Sequence, residues 1–113
     1  MHRSKTISLV NLIATPERYD GKKIRVIGYL HLEFEGNGLY LHKDDYDFGI
    51  SKNAIWADVN EKHPEIGKLS KFSNQYVIIE GTFDSNMRGH MDANSGGIKN
   101  ITRLEIWPIS QAK

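Results

Sequence analysis

Apolar residues follow two different periods along this chain. Near the N-terminus Leu9, Leu12 and Ile13 share one face at helical spacing. Ser8 precedes them, and its hydroxyl can accept a free backbone N–H of the first turn. Ile7 and Leu12 stand at the staple positions around that cap. Pro16 limits this helix, and Tyr19-Asp20-Gly21 reads as a turn. From Lys23 the period becomes two: Ile24, Val26, Gly28, Leu30, Leu32 and Phe34 alternate with Arg25, Ile27, Tyr29, His31, Glu33 and Glu35. That pattern predicts a long strand with one buried face, bent at Gly28, where the missing Cβ tolerates a kink.

Asn37-Gly38 predicts a two-residue hairpin turn, because both residues accept positive φ. Such a turn sets Phe34 opposite Leu41 and Glu33 opposite His42. A short second strand then covers Leu39 to Lys43, and Asp44 to Asn53 reads as a polar loop carrying Tyr46 and Phe48. Ala54 to Val59 reads as a third strand. Glu61 to Asn74 breaks the alternation; Pro64 can start a helical turn there, with Ile66 and Leu69 facing inward. Gln75 to Phe83 is a fourth strand, Asp84 to Lys99 a long glycine-containing loop, and Ile101 to Ile109 a fifth strand with Pro108 near its end.

A helix, three strands, a short helical or irregular insert and two more strands match an oligonucleotide/oligosaccharide-binding (OB-like) barrel of five strands, mainly β. A general α+β sheet is the competing architecture. The phase predicts one core containing Leu30, Leu32, Phe34, Leu41, Val77 and Ile79. No linker, repeat or low-complexity tract divides the 113 residues, so residues 1–113 read as a single domain.

The motifs carry a resemblance as well. Ser8-Leu9 through Pro16-x-x-Tyr19-x-Gly21-Lys22-x-Ile24-x-Val26-x-Gly28 resembles the opening of bacterial OB-like proteins, some related to anticodon-binding barrels. Phe34-Glu35-Gly36-Asn37, Ser51-Lys52-Asn53-Ala54-Ile55-Trp56, Glu80-Gly81-Thr82-Phe83-Asp84 and Gly89-His90-Met91 are similar to a narrower group, small bacterial proteins of largely unassigned function. The resemblance runs from about Ile7 to Leu104. It implies a fold and supplies no site residues.

Charge and composition narrow the function. There are no cysteines, so disulfides, thiolate zinc sites and cysteine nucleophiles are excluded. Fifteen Lys and Arg against fourteen Asp and Glu give a net charge of +1, without the basic excess common in nucleic-acid binders. The apolar stretch from Ile7 to Ala14 is too short and polar to span a membrane and lacks a signal-peptide pattern, so the expected location is the cytoplasm.

Two regions hold candidate chemistry. His31, Glu33, Tyr40 and His42 are expected on the outer face of the first hairpin. There they could ligate zinc or exchange protons, or simply form a solvated polar face. Arg88 and His90 sit in the long loop, which in an OB barrel borders the ligand face. Tyr29, Tyr40, Trp56 and Tyr76 take outward phases, suited to stacking bases or anchoring a protein; burial beneath a helix or loop is the plainer role for Trp56. No catalytic triad, nucleotide fingerprint or metal spacing stands out.

The reading is therefore a non-catalytic module needing no cofactor and no metal. It contacts another protein through Tyr29, His31, Tyr40, His42, Arg88 and His90, an inhibitor or immunity-type protein being one form. The alternative is a single-stranded nucleic-acid binder, and a metal-dependent enzyme built on the histidines stands third.

Overall fold

A computed structural model, which describes residues 5–33, 36–59 and 69–109, has its first helix where the capping signal predicts it. Helix α1 (Leu9–Ala14) begins behind Ser8, whose Oγ accepts the Asn11 N–H at 3.1 Å. It buries Leu9 and Leu12. Pro16 follows in a 3-10 turn, and Gly21 completes the reversal with φ of 78°.

The described residues contain five strands: β1 (Lys23–His31), β2 (Gly38–Tyr40), β3 (Ala54–Ala57), β4 (Gln75–Asp84) and β5 (Gly97–Ile106). They close into an OB-like barrel in the order β1-β2-β3-β5-β4, with β3 and β5 parallel and the other pairs antiparallel. Inward side chains from every strand meet α1 in one core, including Leu9, Leu12, Val26, Leu30, Leu39, Ile55, Ile79, Phe83 and Ile98. The residues just before α1 bridge to β1 at Arg25, on the stretch of that strand that β2 does not reach.

The first hairpin departs from the expected register. Leu30 pairs with Leu39 and His31 with Gly38, so Asn37-Gly38 is not a two-residue turn joining Phe34 to Leu41. The pairing has slid by six residues. That is an even number, so inward positions stay inward. The described backbone groups around this connection bond to other partners. Glu33 N–H donates to Asn37 Oδ1, Gly36 N–H to the Glu33 carbonyl, and Leu32 N–H to Ser73 Oγ. Leu39 consequently takes the fully buried place, while Leu32 and Leu41 are half-buried against the core. Leu30, Val77 and Ile79 are buried as expected; Phe34, Pro64 and Ile66 lie outside the described residues.

Three further expectations change. Strand β1 keeps continuous register with β4 from Lys23 to Leu30, so Gly28 marks no break. Its missing Cβ instead admits β2: a Cβ there would lie 2.8 Å from the Tyr40 carbonyl oxygen. The expected loop after β2 contains a helix, α2 (Lys43–Asp47), and a 3-10 turn at Ser51–Asn53. The fifth strand starts at Gly97 and stops at Ile106, so the preceding loop shortens to residues 85–96. After β3, the insert shows a 3-10 turn at Leu69–Phe72 that buries Leu69 and Phe72.

Leu39→Ala should cost about 2–5 kcal/mol, because it empties a site with no exposure. Leu32→Ala should cost clearly less, and denaturant midpoints of the two variants would show it. A second test concerns acid. Asp84 on β4 accepts from Lys99 Nζ at 3.0 Å and from the Asn86 N–H, and these bonds hold its carboxyl below the ordinary value. A lowered folded pKa stabilises the protein above the unfolded carboxyl's pKa, and that contribution is lost as pH falls through the folded value. Asp84→Asn should therefore flatten the acid limb of the stability curve relative to wild type, as read by denaturant midpoints across the acid range.

Candidate functional site

The outer face of β2 and β3 carries a cleft of about 310 Å³. Its floor follows from one missing side chain. Gly38 lies opposite Trp56, and Tyr40, two residues on, lays its ring over Gly38: a Cβ there would come 2.7 Å from Tyr40 Cε1. Trp56 forms the far wall and is half-buried under the β4–β5 loop, where a Cβ on Gly89 would meet its ring at 2.7 Å. Gly89 also has φ of 74°, so both conformation and contact favour glycine at that point.

Helix α2 supplies the third ring. Its first turn is closed by Asp45, buried, which accepts the His42 N–H at 3.0 Å and the Asn53 side-chain amide at 2.9 Å. Lys43 and Asp47 pair at i,i+4 with 2.7 Å between Nζ and Oδ2. The helix thereby sets Tyr46 over the sheet, edge-on to Tyr40 with centroids 5.5 Å apart. Tyr46 also stacks on His31 at 4.1 Å and lies 6.1 Å from Tyr29. Tyr29 is 5% exposed beneath this cover and meets Tyr76 edge-on at 5.3 Å.

Polar groups complete the lining. Glu33 enters from the β1–β2 connection, its Oε1 2.6 Å from His31 Nε2, while His31 Nδ1 lies 2.7 Å from Asn74 Oδ1. Ser51, His90 and the buried Asn94 line the opposite side. The β4–β5 loop is stapled down rather than free. Asn94 Nδ2 donates to the Ser51 carbonyl, Ser95 Oγ to the Lys52 carbonyl, and Lys52 Nζ to the Asp92 carbonyl. Next in sequence to lining residues, Phe48 is 77% exposed, Met91 85% and Ile50 46%. Among the described lining residues there is no Lys or Arg.

The structure sorts the expected residues into three groups. Tyr40 and His90 face the cleft. Tyr29 and His31 lie under and beside it as supports, so Tyr29 is not the accessible ring its outward phase suggests. The slid register takes His42 away from Glu33. It precedes α2 with its ring exposed, 4.0 Å from Asp45 Oδ2. Arg88 is exposed on the loop outside the lining, its Nε near the Ser85 carbonyl. Trp56 packs beneath a loop, as its plainer reading has it, and also walls the cleft. Tyr46 falls in the stretch whose sequence pattern predicts a polar loop. The signal for α2 is the Asp45 carboxylate three residues after His42, with Lys43 and Asp47 at helical spacing.

These features define a small closed OB-like barrel with an aromatic-lined cleft on the β2–β3 face, bounded by the β1–β2 and β4–β5 connections. The fold is similar to one in the crystal structure of the Stn1–Ten1 complex of S. pombe, with a TM-score of 0.55 and 13% identity over 95% of this chain and 79% of that one. Asparaginyl-tRNA synthetase from Pyrococcus horikoshii, in complex with asparaginyl-adenylate, matches with a TM-score of 0.47 and 19% identity over 80% of this chain but 20% of its own. No family model and no curated protein matches the sequence. Among the described residues, no helix is long and apolar enough to cross a membrane.

Burial raises the Tyr29 phenol above its ordinary value, against the pull of Lys43. Burial raises Tyr40 too, helped by the nearby Glu33 charge. Alkaline spectrophotometric titration should therefore show a late phase that shrinks in Tyr29→Phe and in Tyr40→Phe. For an acid of raised folded pKa, stability is complete below the unfolded phenol pKa and declines as pH rises through the folded one. Denaturant midpoints should fall over that alkaline window less steeply in the double variant.

Proposed function

We propose that this protein is a non-catalytic binding module that holds a segment of another protein in the cleft between β2, β3 and the β4–β5 loop. The observation that carries this reading is the character of the cleft. It has three aromatic rings, one carboxylate and no Lys or Arg among its described lining residues. Nucleic-acid affinity rests mainly on neutralising phosphates with basic side chains, and here Glu33 would repel them. Exposed aromatic and methionine side chains around a pre-formed hollow suit a protein segment that inserts an anchor. An inhibitor or immunity-type protein in a bacterial cytoplasm is the concrete form this proposal takes.

Binding of a single nucleic-acid strand is the second reading. Two observations favour it: an OB-like barrel, and the Tyr40 and Trp56 rings side by side on adjacent strands, where unpaired bases could stack.

One experiment separates the two. The protein is panned against a random peptide display library and, in parallel, titrated with labelled single-stranded DNA and RNA over a range of salt. The proposal expects enriched peptides whose binding is lost in Tyr40→Leu and in Trp56→Leu, both folded. It expects oligonucleotides to stay in the non-specific range, roughly 10⁻⁴–10⁻⁶ M at physiological salt. Tight, steeply salt-dependent oligonucleotide binding lost in the same variants would replace the proposal by the second reading.

A further inference from the structure

The chemistry of the cleft says more about what enters it. Tyr40, Tyr46 and Trp56 wall a hollow of about 310 Å³, which is the size of a side-chain end or a small ligand. Tyr40 and Tyr46 stand at 73° to each other, so their rings form two sides of a corner rather than a flat platform. The face of an aromatic ring carries partial negative charge and attracts a cation within about 6 Å of its centroid. Glu33 places a carboxylate at the same hollow.

That carboxylate is held in place. Its Oε1 lies 2.6 Å from His31 Nε2; the His31 ring stacks on Tyr46 and is tied by its other nitrogen to Asn74. The Glu33 side chain is 57% exposed, so it remains open to a second partner. No Lys or Arg among the described lining residues competes for it. A hard metal ion would need several oxygen ligands, and one carboxylate among aromatic rings does not supply them. An anion would meet Glu33.

We infer that the cleft binds an organic cation, the ammonium, methylated ammonium or guanidinium head of a Lys- or Arg-type group, boxed by Tyr40, Tyr46 and Trp56 and neutralised by Glu33. This rests on the β2–β3 cleft being the binding site, and within the protein-binding reading it assigns a basic side chain to the anchor position. The Glu33 charge that contributes to raising the Tyr40 phenol reaches the same corner. His31 and Asn74 are positioning residues, since they orient Glu33 and Tyr46 without lining the hollow.

The test uses the whole chain and short capped peptides, acetyl-Gly-X-Gly-amide, with X as trimethyllysine, lysine, arginine, neutral norleucine or glutamate. Choline chloride forms a separate arm. Proton NMR follows the N-methyl or terminal methylene signals of each probe, which move upfield when seated against aromatic faces. The expected result is saturable upfield shifts for the cationic probes, with affinity about tenfold above norleucine and no binding of the glutamate peptide. Glu33→Gln, at an exposed position, should weaken the cations severalfold and leave norleucine unchanged. Tyr46→Leu and Trp56→Leu give the same comparison for the rings if either variant alone is poorly folded. Peptides binding more tightly than choline assign the cation to a protein side chain; equal or tighter choline binding assigns it to a free small molecule. Norleucine matching the cations, indifference to Glu33→Gln, or no saturable cation binding would each overturn the inference. Neutral peptides recovered from display and lost in Trp56→Leu would leave the cleft as the binding face while removing the cation from it.

Discussion

Strand β5 can serve two neighbours, and the rest of the molecule follows from that. Its C-terminal part pairs with β4 from Val77↔Ile106 to Glu80↔Arg103, and its N-terminal part continues at Thr82↔Lys99 after a shift in register. Asn100, with φ of 51°, lies within the shift and turns the strand. Gly97 and Ile98 can then run parallel to Trp56 and Ala57 and close the barrel. Without that pairing, β3 and β5 would be open edges and the core would lose one wall.

The same closure builds the cleft. Holding Gly97 against Trp56 forces the β4–β5 loop across the indole, where Gly89 can lie on the ring. Backbone bonds then fasten the loop to β3 itself: Trp56 N–H donates to the Gly96 carbonyl and Ser95 N–H to the Ala54 carbonyl. On the other side, the slid β1–β2 register ends β2 at Tyr40 and leaves room for α2 to lay Tyr46 over the sheet. Two departures from ideal strand pairing thus shape the hollow. Its rings are positioned by backbone geometry, and the aromatic contacts follow from that.

Much of the fold was legible because its signals are local. The Ser8 cap, the period-two runs at Ile24–Leu30 and Val77–Phe83, and the succession of elements along the chain need no knowledge of distant residues. The first hairpin departs from its sequence signal because Asn37-Gly38 satisfies the turn rule, while the competing bonds come from Asn37's own side chain and from Ser73 far along the chain. Site residues were harder still. Tyr40 and His90 could be named from strand phase and loop position, but whether an outward ring is open or covered depends on what packs over it. Tyr29 disappears under Tyr46, and Trp56 becomes a wall because the β4–β5 loop covers part of its ring and leaves the rest to the cleft.

The two tryptophans offer a direct test of where binding occurs, since Trp56 walls the cleft and Trp107 lies in an exposed apolar stretch with Ile106 and Ile109. Protein labelled with 5-fluorotryptophan should give two fluorine resonances, assigned with Trp56→Phe and Trp107→Phe. Adding a bound peptide should move the Trp56 resonance in proportion to occupancy and leave Trp107 in place. Movement confined to Trp107, with Trp56 unchanged at saturation, would contradict the cleft as the site and transfer it to the end of β5.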